Sequence, residues 1–412
     1  MTAADPTTTA TTPSITVGNS IAVTGAHPGY PYRMAKAAVD PSSARRRAGL
    51  LGAVLGATAG VVAGAAAGVA TQRALLRRRR PTEDPYANET FGPQPYDESL
   101  TVTTDDGLDL YVEIVEPVDG VDMDLDDLGL DLAEPVGAPA PTLVFVHGFC
   151  LHMGSFHFQR RALAARGDWR MVFYDQPGHG RSGRREEGEY TLEGLGAALR
   201  RVIEATTPEG RIVLVGHSMG GMTIMALAEL DPELIAQRVA GVVLIATSAG
   251  RLEATRIGLP QIVSRAARPV LPLVNNAARL TTAMIDRARS AASDLAWQLT
   301  RRYGFGTAHP SRALVSFVER MNSGTSIDTI ARYLRTLYTH SRYPALDALR
   351  TVPVLVICGE KDQITPLALS TQICERLPHA KLVTVPDSGH VVLLEHNVEV
   401  NDALTAFLET LR

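Results

Sequence analysis

The apolar positions of this chain change rhythm several times along its length. Residues 1–47 are rich in Ala, Thr and Pro, with few large apolar side chains and no period. Such a segment buries too little surface to offset the entropy of ordering, so a disordered tail is expected. From Ala48 to Ala70 there are 23 residues without a charge, enough for about 35 Å of helix against a hydrocarbon core of about 30 Å. Residues 71–98 are first basic and then Pro-rich, with Pro81, Pro85, Pro93 and Pro95, and read as a linker. The alternation in SLTVTTDDGLDLYVEIVEP, turning at Asp105-Asp106-Gly107, predicts a β-hairpin beginning near Ser99. Beyond Pro141, short β-branched runs alternate with helical stretches: TLVFVHG (142–148), RMVFYD (170–175), RIVLVG (211–216), VAGVVLIAT (239–247), VPVLVIC (352–358) and AKLVTVP (380–386). Near-continuous apolar strands separated by amphipathic helices predict an α/β fold, a mostly parallel sheet covered on both faces. Residues 250–343 break the rhythm with helical stretches and no strand, and are expected to form a cap inserted into a core of 99–249 and 344–412.

Composition and charge narrow the function. Hydrophobic residues make up 45% and charged residues 20%, with 40 Lys+Arg against 44 Asp+Glu and a net charge of −4. This excludes a fibrous or wholly disordered chain and argues against a nucleic-acid partner bound by phosphate neutralisation. Cys150, Cys358 and Cys374 are odd in number and widely spread, which builds neither a disulfide framework nor a metal site and favours a reducing, cytoplasmic compartment. The stretch 116–141 carries eight acidic residues and no basic one. A calcium loop starting at Asp122 would need Gly and Glu where Asp127 and Ala133 stand, so this is read as a solvated insertion.

In the uncharged segment, Gly52, Gly56, Gly60, Gly64 and Gly68 recur every fourth residue. On a helix they form a stripe along which a second copy could approach closely, so self-association is expected with membrane attachment through 48–70. Arg33, Lys36 and Arg45–Arg47 on one side against Arg73 and Arg77–Arg80 on the other give five flanking cations each, which leaves a single-pass orientation open. A peripheral linker and a cleaved signal peptide remain alternatives.

The strongest chemical signal is GHSMGG at 216–221, between the strand RIVLV and the helical run TIMALAEL. This strand–turn–helix context places Ser218 on a sharp turn, its Oγ above the carboxyl edge of the sheet. A serine hydroxyl needs a base, and the base needs an orienting acid. Asp362 follows VPVLVIC, and His390 follows AKLVTVP, each at a strand's carboxyl end where open α/β sheets place their sites. Glu360 is a rival acid. The developing oxyanion needs two donors, expected from the backbone N–H groups of Met219, after the nucleophile, and Phe149, in VHGFC.

VHGF at 146–149, DQPGHGRS at 175–182, GHSMGG, and the Asp362 and His390 loops, in that order, make the chain from Ser99 to Arg412 resemble the α/β-hydrolase superfamily of serine esterases and lipases. The resemblance implies a Ser218–His390–Asp362 triad that cleaves carboxylic esters, with thioesters or lipid-like acyl esters as further substrates, through an acyl-enzyme and without metal or organic cofactor. It implies that Asp175, His179, His147 and His217 support the site rather than react. Serine at the elbow, where the family's epoxide hydrolases and dehalogenases carry Asp, disfavours alkyl-enzyme chemistry. Carbon–carbon bond hydrolysis and cofactor-free perhydrolysis use similar triads and stay open. A membrane-assembly or binding protein with an inactive hydrolase domain is the alternative of another class.

Overall fold

The computed structural model describes residues 84–118, 140–188, 190–250 and 294–412. Eight strands form one sheet: β1 (Glu98–Thr103), β2 (Asp109–Val115), β3 (Thr142–Val146), β4 (Met171–Tyr174), β5 (Ile212–His217), β6 (Val239–Ile245), β7 (Val354–Gly359) and β8 (Lys381–Val385). Their spatial order is β1-β2-β4-β3-β5-β6-β7-β8. The hairpin β1–β2 joins β4 antiparallel, while β4, β3, β5, β6, β7 and β8 run parallel. Order reverses around β3, so the carboxyl ends of β3 and β5 open a crevice at one edge.

The helices are α1 (His157–Arg166), α2 (Leu192–Thr206), α3 (Met219–Leu230), α4 (Pro232–Arg238), α5 (Arg312–Gly324), α6 (Ile327–Thr339), α7 (Ala345–Ala348), α8 (Leu367–Arg376), α9 (Val392–Glu395) and α10 (Asn397–Glu409). Strand side chains alternate between two cores. Phe145, Phe173, Val215, Ile245 and Ile357 pack with Phe158 and Leu163 of α1 and with Leu404 and Leu408 of α10. Val144, Val172, Leu214, Leu244 and Val356 pack on the other face with Leu199 and Ile203 of α2 and Ile224 and Leu227 of α3. Because both faces are covered, the central strands are apolar throughout rather than alternating.

Between β6 and β7 the described part of the insertion is helical: residues 294–304, then α5 and α6. Ser311 and Ser326 begin α5 and α6 by accepting the N–H groups of Leu314 and Thr329. Residues 84–97 are not the free linker expected from their prolines. Tyr86 and Phe91 pack on the core, and Phe91 stacks on Phe317 of α5 at 4.5 Å. Glu89 accepts from Arg161 at 2.6 Å and pairs with His157 at 2.8 Å, while Asp84 accepts the Ala313 N–H at 3.0 Å. Aromatic and acidic side chains scattered among the prolines dock this strap across α1 and α5.

Among the described residues no helix is long and apolar enough to cross a membrane. The segment 48–70 with its five glycines, most of the acidic insertion 116–141, and the arginine-rich stretch 251–293 lie outside the described residues.

Candidate active site

Ser218 ends β5 and begins α3 with φ 52° and ψ −116°, a conformation that L-residues avoid and that costs of order 1–3 kcal/mol. The turn is held by neighbours. The Ser218 N–H donates to the Ile245 carbonyl at 2.9 Å, and its own carbonyl accepts the Gly221 N–H at 3.0 Å and the Thr247 hydroxyl at 2.7 Å. A Cβ on Gly220 would lie 1.9 Å from the Val146 carbonyl oxygen, so only glycine lets α3 start this close to β3.

The structure brings Ser218, His390 and Asp362 together from three strand ends. His390 Nε2 lies 2.9 Å from Ser218 Oγ, and His390 Nδ1 lies 2.9 Å from Asp362 Oδ2. With Nδ1–H donating to the carboxylate, Nε2 is left to accept the serine proton. The Asp362 side chain is fully buried, and its Oδ1 accepts the N–H groups of Ile364 and Thr365 at 2.8 and 2.9 Å. The Thr365 hydroxyl stands 2.7 Å from Asp362 Oδ2, 2.8 Å from the Ala246 carbonyl and 3.2 Å from His390 Nδ1. Glu360 is exposed, and its carboxylate accepts from the Asp387 N–H rather than facing His390.

The two proposed oxyanion donors, the N–H groups of Phe149 and Met219, are given to no carbonyl among the described residues. Met219 is the first residue of α3, where an N–H has no partner inside the helix and the helix dipole favours negative charge. Phe149 is held from behind: Cys150, at φ 59°, donates its N–H to His179 Nε2 at 3.1 Å. Burial pushes the Cys150 thiol up to about 12, so it stays protonated at neutral pH.

His147, His179 and His217 each bond the main chain through the ring. His147 accepts the Gln176 N–H at Nε2 and donates from Nδ1 to the Gly148 carbonyl, both at 2.8 Å. His179 donates from Nδ1 to the Pro177 carbonyl at 3.0 Å. His217 donates from Nε2 to the backbone carbonyl of His390 at 3.0 Å, so it touches the site through the main chain. Burial lowers all three to about 3, which keeps them neutral. Asp175 accepts the N–H groups of Met153 and Arg181, both at 2.8 Å. Burial raises its pKa against the pull of those donors.

The insertion roofs this edge. Tyr333 of α6 stacks on Tyr190 at 4.4 Å, donates to the Pro177 carbonyl at 2.7 Å and approaches Phe149 at 5.7 Å. Arg332 donates to the carbonyls of Glu186 and Gly188. Thr365, Tyr333 and Glu395 were not among the residues expected from the sequence. The signal for Thr365 was its place three residues after the acid, at the end of a side-chain-to-backbone turn.

A mostly parallel sheet with a serine elbow after β5, an acid after β7 and a histidine after β8 defines an α/β-fold hydrolase. A family model of the α/β-hydrolase fold matches residues 141–397, over half of the chain, and the chain belongs to that family. It is 25% identical over 275 residues to the sn-1-specific diacylglycerol lipase of Mus musculus, covering 66% of this chain and 82% of that protein. It is 30% identical over 269 residues to the pimeloyl-(acyl-carrier protein) methyl ester esterase of Nitrosomonas europaea, covering 64% of this chain and 95% of that protein. Among solved structures, an esterase from Exiguobacterium antarcticum superposes with a TM-score of 0.56 at 16% identity over 76% of this chain and all of that one, a likeness of fold. The chain is thus a hydrolase of a family whose similar members include ester hydrolases.

Proposed function

We propose that this enzyme cleaves carboxylic esters through a covalent acyl-serine. The observation that carries the reading is the hydrogen-bonded series Ser218–His390–Asp362, 2.9 Å at each step, beside two N–H groups with no carbonyl partner among the described residues. Ser218 Oγ attacks the ester carbonyl as its proton passes to His390 Nε2, and the tetrahedral oxyanion accepts from the Phe149 and Met219 N–H groups. His390 returns the proton to the departing alcohol. Water then attacks the acyl-enzyme with His390 again as base, while Asp362, steadied by the Thr365 hydroxyl, holds the imidazole and balances its transient charge. The similar lipase and methyl ester esterase support an acyl chain as the substrate's common feature.

Ser218→Ala, Asp362→Asn and His390→Ala should each lower kcat on p-nitrophenyl esters by at least about 10³-fold, with the double variants little worse than the worst single one. A serine-directed fluorophosphonate should label the wild type and not Ser218→Ala. Wild-type turnover in Ser218→Ala would remove this mechanism.

We further propose that residues 48–70 attach the enzyme to a membrane, on the strength of their uncharged length and flanking arginines. Full-length protein should remain with vesicles in 1 M salt, where the screening length falls to about 3 Å. Release by salt would reduce the attachment to charge alone.

A further inference from the structure

We infer that Glu395 is a positioning residue that ties the helical insertion to the loop carrying His390. The inference rests on the proposed role of His390 as base, and it extends that role to the chain segment that sets where the imidazole stands.

Glu395 closes α9, five residues after His390, and its two carboxylate oxygens serve different partners. Oε1 accepts the N–H groups of Gly306 and Thr307 at 3.0 and 2.9 Å, in the turn between the helix at 294–304 and α5 of the insertion. Oε2 accepts the Gly389 N–H at 2.6 Å and lies 3.4 Å from the Ser388 hydroxyl, in the loop just before His390. The Gly306 N–H also reaches Oε2 at 3.0 Å, so one donor spans both sides. Three backbone donors converge on one side chain, and none of the three gives its proton to a carbonyl among the described residues.

The two segments meet without space between them. A Cβ on Gly389 would stand 2.5 Å from the Phe305 carbonyl carbon, and the Val391 N–H donates to the Gly304 carbonyl at 2.9 Å. The donors on either side of His390 therefore both end in the 304–307 turn or its carboxylate. One turn earlier, Arg302 donates to the Gln363 side chain at 2.6 Å, beside Asp362. The helix end and turn at 302–307 thus touch both loops that position the imidazole, and the Glu395 side chain sits at the junction with the His390 loop. A shift of the insertion must move Gly306, hence Glu395, hence Gly389 and the ring next to it. No atom of Glu395 is placed on the reacting groups, which makes its role one of geometry.

Glu395→Gln tests this because an amide keeps the shape but offers one acceptor where the carboxylate offers two. Its NH2 group must then face backbone N–H groups on one side. Displacements of about 1 Å at a reacting centre cost about 100-fold in rate, so kcat on a p-nitrophenyl ester should fall about 10- to 100-fold with KM kept within about twofold. Native-state hydrogen exchange should quicken about tenfold or more at residues 304–307 and 388–391 together. Glu395→Asp, which keeps both oxygens at shorter reach, should recover part of kcat. Glu113→Gln serves as the comparison, since it breaks the buried pair with Arg160 far from His390 and should lower Tm while leaving kcat within about twofold. If Glu395→Gln loses Tm as Glu113→Gln does and keeps kcat, Glu395 only holds the fold and the inference is overturned. Faster exchange at 304–307 without any at 388–391 would equally break the proposed link. If the wild type neither hydrolyses esters nor reacts with fluorophosphonate, the esterase reading falls, and the exchange measurement alone decides whether Glu395 joins the two segments.

Discussion

Four buried histidines set how this protein meets acid. His147, His179 and His217 are held near 3 by burial, and His340 near 4. An unfolded histidine titrates near about 6.5, so below that pH the unfolded chain takes up protons that the folded chain refuses. Stability is therefore full above about pH 6.5 and drains as pH falls toward the folded values, by about 2 kcal/mol per histidine at pH 5. Denaturant midpoints should drop steeply between pH 6.5 and 5, and a flat profile over that range would refute the neutral burial of these rings. His340 offers a selective test, because neither ring nitrogen has a partner among the described residues. His340→Leu should flatten the pH slope by about one proton, or about 1.4 kcal/mol per pH unit, without breaking a hydrogen bond of the described fold.

At the scale of elements, the strap at 84–97 binds the insertion to the sheet domain. Asp84 accepts an N–H from the first turn of α5, Phe91 lies on Phe317 of α5, and Glu89 reaches His157 and Arg161 of α1. A chain beginning at Asp84 should keep the Tm of full-length protein. One beginning at Pro95 loses two half-buried aromatics, worth about 1.5–3 kcal/mol together at half of the full-burial value. Its Tm should fall by about 5–10 °C, at 2–4 °C per kcal/mol for a domain of this size. Equal melting of the two chains would show the strap to be passive. This strap was illegible in the sequence, since Tyr86 and Phe91 stand in a proline-rich run with no period and their partners lie far downstream. The parallel strands were legible because burial on both faces leaves long β-branched runs; their predicted ends lie within two residues of the observed ones. Ser218, Asp362 and His390 could be read because each follows such a run. Glu395 could not, because its meaning depends on Gly306 and Thr307, close to ninety residues away.

At the scale of the whole molecule, the proposed nucleophile Ser218 is almost wholly covered by protein. Ser218 and His390 are each only 7% exposed, and Tyr333 of the insertion stands 5.7 Å from the ring of the neighbouring Phe149. The residues gathered at that edge are apolar or aromatic: Met219, Met222, Tyr333 and Leu337 form one cluster, with Phe149 packed against it. An acyl chain threading past these side chains gains about 0.8 kcal/mol for each CH2 it buries, or about fourfold in transition-state binding, for as long as the space accepts another carbon. A short acyl group buries fewer CH2 groups and gains correspondingly less. We therefore expect medium- or long-chain esters to be preferred over acetate. Across p-nitrophenyl esters from acetate to dodecanoate, kcat/KM should climb by up to about fourfold per CH2 and then level where the chain outgrows the space. The gain should appear in kcat/KM even where solubility limits KM, since both chain burial and attack contribute to it. An optimum at acetate or propionate would mean that the roof closes directly over the acyl carbon, and would leave a small-ester esterase in place of an enzyme for lipid-like substrates.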